Sequence, residues 1–102
     1  MNLFVIDGTR KTIERIEGDV DEARLKALIG FDAIDFDELN DQGDRLYFDE
    51  SCFIRQATGV GRFQYRRLAP IAGVGVIVGH ADGRFASPAL TQEALTAHIV
   101  FV

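Results

Sequence analysis

His80-Ala81-Asp82 sets an imidazole and a carboxylate two residues apart, and in an extended chain both would point the same way, as a pair of metal ligands does. A metal site needs at least a third donor. Only distant His98 or an acid from the first half could bring one, and turn chemistry explains Asp82-Gly83 without a metal. A second constellation is the run of acids Asp35, Asp37, Glu38, Asp41, Asp44, Asp49 and Glu50. A calcium loop of EF-hand type needs oxygen ligands at positions one, three and five, and counting from Asp35 places Leu39 at the fifth. Paired carboxylates also act as general acid and base, but acids on a turn stay hydrated and keep ordinary pKa values. Two readings stay open for Asp35, Asp37, Glu38, Asp41 and Asp44: a water-bathed acidic face, or a recognition surface for a basic partner.

Glycines alternate through Gly73-Val74-Gly75-Val76-Ile77-Val78-Gly79, which invites a nucleotide-binding reading because bare backbone admits phosphates. The dinucleotide fingerprint places its glycines in a turn before a helix, and no helix follows Gly79. The simpler expectation is a strand whose glycines are covered by a neighbouring ring, Phe63 or Tyr65. A small-ligand site formed by Gly73, Gly75, Gly79, His80 and Asp82 is the alternative. Arg55, Arg62, Arg66 and Arg67 with Phe63 and Tyr65 resemble a single-strand binder's cations and stacking rings, yet the same arginines can pair with the acids of the first half, within the chain or across a dimer. Cys52 is the only cysteine, which rules out an internal disulfide and reads as a small buried hydrophobe. No serine-protease triad, P-loop or zinc-peptidase helix is present.

The elements that must hold these groups follow from pattern. Leu3-Phe4-Val5-Ile6 is an unbroken apolar run before Asp7-Gly8-Thr9, expected to be a strand buried on both faces. Residues 11 to 17 read as a short strand. Asp19 with Glu22 three residues on suggests a capping box, Leu25, Leu28 and Ile29 have helical spacing, and Gly30 supplies a left-handed end, so the pattern predicts a helix over 20–29. Residues 33 to 49 read as a hairpin around Asn40-Asp41-Gln42-Gly43-Asp44, entered by a strand over 31–36 with a bulge at Ala33-Ile34, while Thr58-Gly59-Val60-Gly61 reads as a loop. Phe63 and Tyr65 mark another strand, Val74, Val76 and Val78 share one face of the next, and Ala81-Asp82-Gly83-Arg84 is a turn. Thr91 caps a short helix, and residues 98–102 are a terminal strand or that helix's apolar end.

With 102 residues, 47% of them apolar, the chain suits one globular domain. No apolar run is long enough to span a bilayer, and the start Met1-Asn2-Leu3-Phe4-Val5-Ile6-Asp7 lacks the basic region of a signal peptide, so the expected location is the cytosol. Fourteen of the 16 acids precede Cys52; against six basic residues they give that half about −8, and the second half carries about +3. A net charge of −5 disfavours direct nucleic-acid binding and favours a basic partner.

Phe63-Gln64-Tyr65, Pro70 through Gly79, Asp82-Gly83, Pro88 and the stretch from Thr91 to Phe101 resemble a family of small uncharacterised proteins from phages, plasmids and bacterial genomes. The likeness spans the last two thirds of the chain and rests on structural motifs. It departs at Arg66-Arg67-Leu68, where the family pattern has glycine and proline. The family has no established activity, so the resemblance implies a context and no catalytic residues.

The expected fold is α+β: a mainly antiparallel sheet of about five or six strands, one clear helix over 20–29 and a short C-terminal helix. The expected function is that of a noncatalytic binding or regulatory protein using its acidic hairpin against a basic protein, for instance as an antagonist of a nucleic-acid enzyme. No cofactor, metal or membrane partner is expected. A homodimer is favoured by the oppositely charged halves, the apolar Ile99-Val100-Phe101-Val102 and an exposed sheet edge.

Overall fold

The computed structural model describes residues 1–54 and 59–102. Arg55, part of the arginine set, and Thr58, part of the expected loop, lie outside the described residues. The leading hairpin pairs β1 (Asn2–Asp7) with β2 (Thr12–Glu17), Ile6 opposite Ile13. After α1 (Glu22–Ile29), a second hairpin pairs β3 (Ile34–Glu38) with β4 (Arg45–Asp49). Then come β5 (Arg62–Tyr65), β6 (Ile71–Ala72), β7 (Val74–Ala81), β8 (Arg84–Ala86), α2 (Gln92–His98) and β9 (Ile99–Phe101). The fold is α+β, as the sequence pattern predicts.

The main sheet runs β2-β1-β7-β4-β3, with β8 also on β7, and all its pairs are antiparallel. A small sheet, β6-β5-β9, adds to what the sequence pattern predicts. It packs with α2 on one face of the main sheet while α1 packs on the other, and this double cover explains the apolar runs. Along β1, Phe4 and Ile6 join Leu46, Phe48, Phe63, Tyr65, Ile71, Ile77 and Leu95, whereas Leu3 and Val5 meet Leu25, Ile29, Tyr47, Val76 and Val78. Ile13 and Ile16, three apart on β2, lean on opposite clusters for the same reason.

Local signals mostly work as expected. Gly30 ends α1 at φ 87°, Thr91 caps α2 by accepting from the Ala94 N–H, and Asp82 and Gly83 turn β7 into β8 at φ 55° and 74°. Two expectations fail. The α1 cap is Asp21, whose carboxylate accepts from the Arg24 N–H at 2.8 Å, and not Asp19. Arg24 instead reaches back to donate to the carbonyls of Asp19 and Glu17, which holds residue 19 outside the helix. Residues 31–33 stand outside β3, so the strand begins at Ile34 without a bulge, and the tail 99–101 resolves as strand β9.

The two sheets meet at a junction of glycines. The Gly8 N–H donates to the Gly73 carbonyl and the Gly73 N–H to the Gly61 carbonyl, at 2.8 and 3.0 Å. A side chain at Gly8 would collide with the backbone of Gly61, so only bare backbone permits this crossing. On β7, the space a Cβ at Gly75 would take is already held by Phe63 Cζ, 2.6 Å away, and Leu46 Cδ1, 2.9 Å away. Gly75→Val should therefore cost about 1 to 3 kcal/mol by overpacking despite valine's preference for strands. Denaturant melts check this, and undiminished stability would contradict the packed arrangement.

Candidate functional site

Of the five acids proposed as a partner surface, four stand wholly or partly in solvent and Asp44 is buried. β3 is an outer strand of the main sheet, so its side chains alternate between the two faces. Ile34 and Phe36 lie on the α1 side with Tyr47, and Asp35 and Asp37, opposite Phe48 and Leu46, emerge on the other. Asp35 and Glu38 are exposed, Asp37 is half-buried, and Asp41 stands exposed at the turn. Asp35 also accepts from the Phe36 N–H at 2.8 Å, blunting one donor beside the sheet's open edge.

Asp44 is a correction. It is fully buried (0% exposed) and serves the fold rather than a partner. One carboxylate oxygen accepts from the Ala89 N–H at 2.8 Å; the other accepts from the Leu90 N–H at 2.9 Å and the Asn40 amide at 3.0 Å. Asn40 in turn accepts from the N–H groups of Gln42 and Asp44. The β3–β4 turn is thus clamped to the segment leading into α2 by charge-assisted hydrogen bonds.

Among the described residues, ion pairs join Arg10 to Asp7, Arg15 to Glu17 and Lys26 to Glu22. None involves Asp35, Asp37, Glu38 or Asp41. Arg45, across from Glu38, lies over the Phe36 ring at 4.2 Å from its centroid. Burial, and then the charge of Asp35 on the same strand face, raise the Asp37 carboxyl above its ordinary value.

The arginines do not answer these acids. Arg62, Arg66 and Arg67 make no ion pair among the described residues; Arg66, in a left-handed conformation at φ 49°, donates to His98 Nε2 at 3.1 Å. Phe63 and Tyr65 point into the core and offer no stacking platform. A groove of about 710 Å³ separates Glu38 and Leu39 from Tyr65, Arg66, Arg67 and Leu68, acid on one wall and base on the other. Cys52 is buried, and burial pushes its thiol up, away from a reactive thiolate.

The glycine-strand alternative disperses as well. Gly75 is covered by Phe63, Gly79 abuts the Ser87 carbonyl, and His80 faces the other side with Tyr47. Gly73 belongs to the glycine junction and Asp82 to the exposed β7–β8 turn. No group of three or more metal-ligating side chains occurs among the described residues. His80 Nδ1 lies 3.1 Å from the Gly43 carbonyl, so it carries the proton and donates. Nε2 then accepts from the Tyr47 hydroxyl at 3.0 Å. Burial lowers the His80 pKa, opposed by the Gly43 carbonyl, aided by Arg45 and opposed by Asp44.

With this geometry in hand, comparison with family models, curated proteins and solved structures returns no match. No helix among the described residues is long and apolar enough to cross a membrane.

Two outcomes separate the inner from the outer groups. Asp44→Ala, which strands two backbone donors, should cost about 3 kcal/mol, whereas Asp41→Asn should shift stability by less than about 0.5 kcal/mol in the same melts. For His80 the folded pKa lies below the unfolded value, so the unfolded chain takes up the proton first as pH falls. Its contribution is complete above about pH 6.5 and is lost on descending from there through the folded pKa. A His80→Gln variant should show a flatter stability profile across that window, and an unchanged slope would contradict this role.

Proposed function

We propose that the chain is a noncatalytic binding protein whose acidic hairpin, through Asp37, Glu38 and Asp41 with Asp35 beside them, engages a basic protein. One observation carries this reading: the row has no ion-paired cation among the described residues. Like charges held together without a counterion oppose folding, and a cationic partner relieves them on binding. The Asp44 clamp supports the same reading by fixing the turn, so that little ordering entropy is lost on association. Such a row also suits a protein that occupies the basic surface of a nucleic-acid enzyme in place of the phosphate backbone.

The test is an Asp37→Asn, Glu38→Gln, Asp41→Asn triple variant, titrated calorimetrically with a lysine-rich peptide at low and moderate salt. Its stability at neutral pH should match or exceed wild type, since a carboxyl with a raised folded pKa favours folding only at low pH and that benefit is lost as pH rises. Affinity should fall about tenfold or more, with a shallower salt dependence. A control triple, Glu14→Gln, Glu17→Gln and Asp19→Asn, removes equal charge around the opposite edge. Equal weakening in both triples would reduce the hairpin to a share of net charge and end the proposal.

A further inference from the structure

On the α1 side of the same hairpin lies a cavity of about 340 Å³ whose lining includes Phe36, Tyr47 and Phe85, with Leu25 of α1 and the carboxylates Glu22 and Asp35. Its rings are inclined rather than stacked: Phe36 and Tyr47 stand 5.3 Å apart at 47°, Tyr47 and Phe85 6.3 Å apart at 64°. No lysine, arginine or histidine is among its lining residues. The Tyr47 hydroxyl donates a hydrogen bond to His80 Nε2, which enriches the ring slightly in electron density. The cluster already holds one cation, because Arg45 lies over Phe36 while standing outside the cavity lining. Aromatic faces attract cations electrostatically, more strongly as water is excluded.

We infer that this cavity receives the alkylammonium head of a lysine side chain on the basic partner, an inference that rests on the acidic-face reading above. Charge complementarity names a cation, and ring geometry names its shape. A planar guanidinium is suited to cover a single ring, and Arg45 Cζ stands 4.2 Å from the Phe36 centroid; a compact ammonium suits the Phe36 and Phe85 rings, each tilted against Tyr47, with Glu22 and Asp35 beside them. Lys26 holds Glu22 at 3.3 Å, but the Glu22 side chain is 72% exposed, so the pair is weakened by solvent and leaves the carboxylate open to a second cation. Asp35 starts from the opposite face of β3, but its carboxylate accepts from the Phe36 N–H at the strand's open edge and so stands at the rim of the cavity, between it and the acidic row.

The experiment is an NMR titration of the labelled protein with Nα-acetyl-lysine methylamide, its Nε-trimethyl form and Nα-acetyl-arginine methylamide. The lysine probes should shift Phe36, Tyr47 and Phe85, bind better than the arginine probe, and lose about tenfold in affinity with Phe85→Leu, which keeps apolar bulk and removes the ring. Asp35→Asn, at an exposed position whose amide oxygen can still accept from Phe36, should weaken binding severalfold and serves if Phe85→Leu does not fold. Absence of ring shifts at probe concentrations on the order of 100 mM, or equal affinity in wild type and Asp35→Asn, overturns the inference. Shifts confined to residues 37–41 also overturn it while leaving the acidic face standing. Ring binding, with the hairpin triple still taking the lysine-rich peptide undiminished, upholds the cavity and ends the hairpin reading.

Discussion

A carboxylate with no water around it must find donors for its oxygens, and Asp44 finds all three of its partners in two places far apart in the chain. Asn40 supplies one from its own turn; Ala89 and Leu90 supply two from the approach to α2. The β3–β4 turn therefore cannot adopt its shape independently of the layer that covers the sheet. Leu39 and Leu90 pack on the same apolar cluster as Leu95, so the polar clamp and the apolar cover reinforce each other. Tyr65, at the edge of this region, has its phenol pushed up by burial, against Arg66 and with the charge of Asp44.

The hairpin consequently divides its acids by role. Asp44 turns inward and is satisfied; Asp37, Glu38 and Asp41 stay outside with no ion-paired cation among the described residues. A turn held only by exposed acids would splay under their repulsion, and the buried one opposes that. His80 braces the same turn from β7 through the Gly43 carbonyl, while Tyr47 joins His80 to the aromatic cluster. The buried carboxylate and the His80 contact thus hold the turn that carries the outer acids.

Much of the architecture was legible from the chain because its causes are local. Val74, Val76 and Val78 alternate, Asp82-Gly83 tolerates positive φ at both residues, and Thr91 precedes a helical run. The buried run Leu3 to Ile6 announced a strand covered twice. The site was less legible. Asp41 and Asp44 both read as turn residues, and what separates them is the pair of N–H groups at Ala89 and Leu90, 45 and 46 positions away. Asp19 and Asp21 are equally good caps by type, and the reach of Arg24 decides between them. The small sheet escaped notice because β6 and β9 have two and three residues, too few for alternation to register. The rings of the aromatic cavity lie at positions 36, 47 and 85, a spacing with no period.

The position of β7 also governs how the chain can assemble. It sits between β1 and β4, antiparallel to both, and closes a sheet whose first strand was made some seventy residues earlier. During synthesis the β1–β2 and β3–β4 hairpins can each form, yet they share no neighbour until Val74–Ala81 has emerged. Vectorial folding is therefore closed to this topology. The nascent chain carries two half-sheets whose inner strands, β1 and β4, stay unpaired on one side until the central strand arrives.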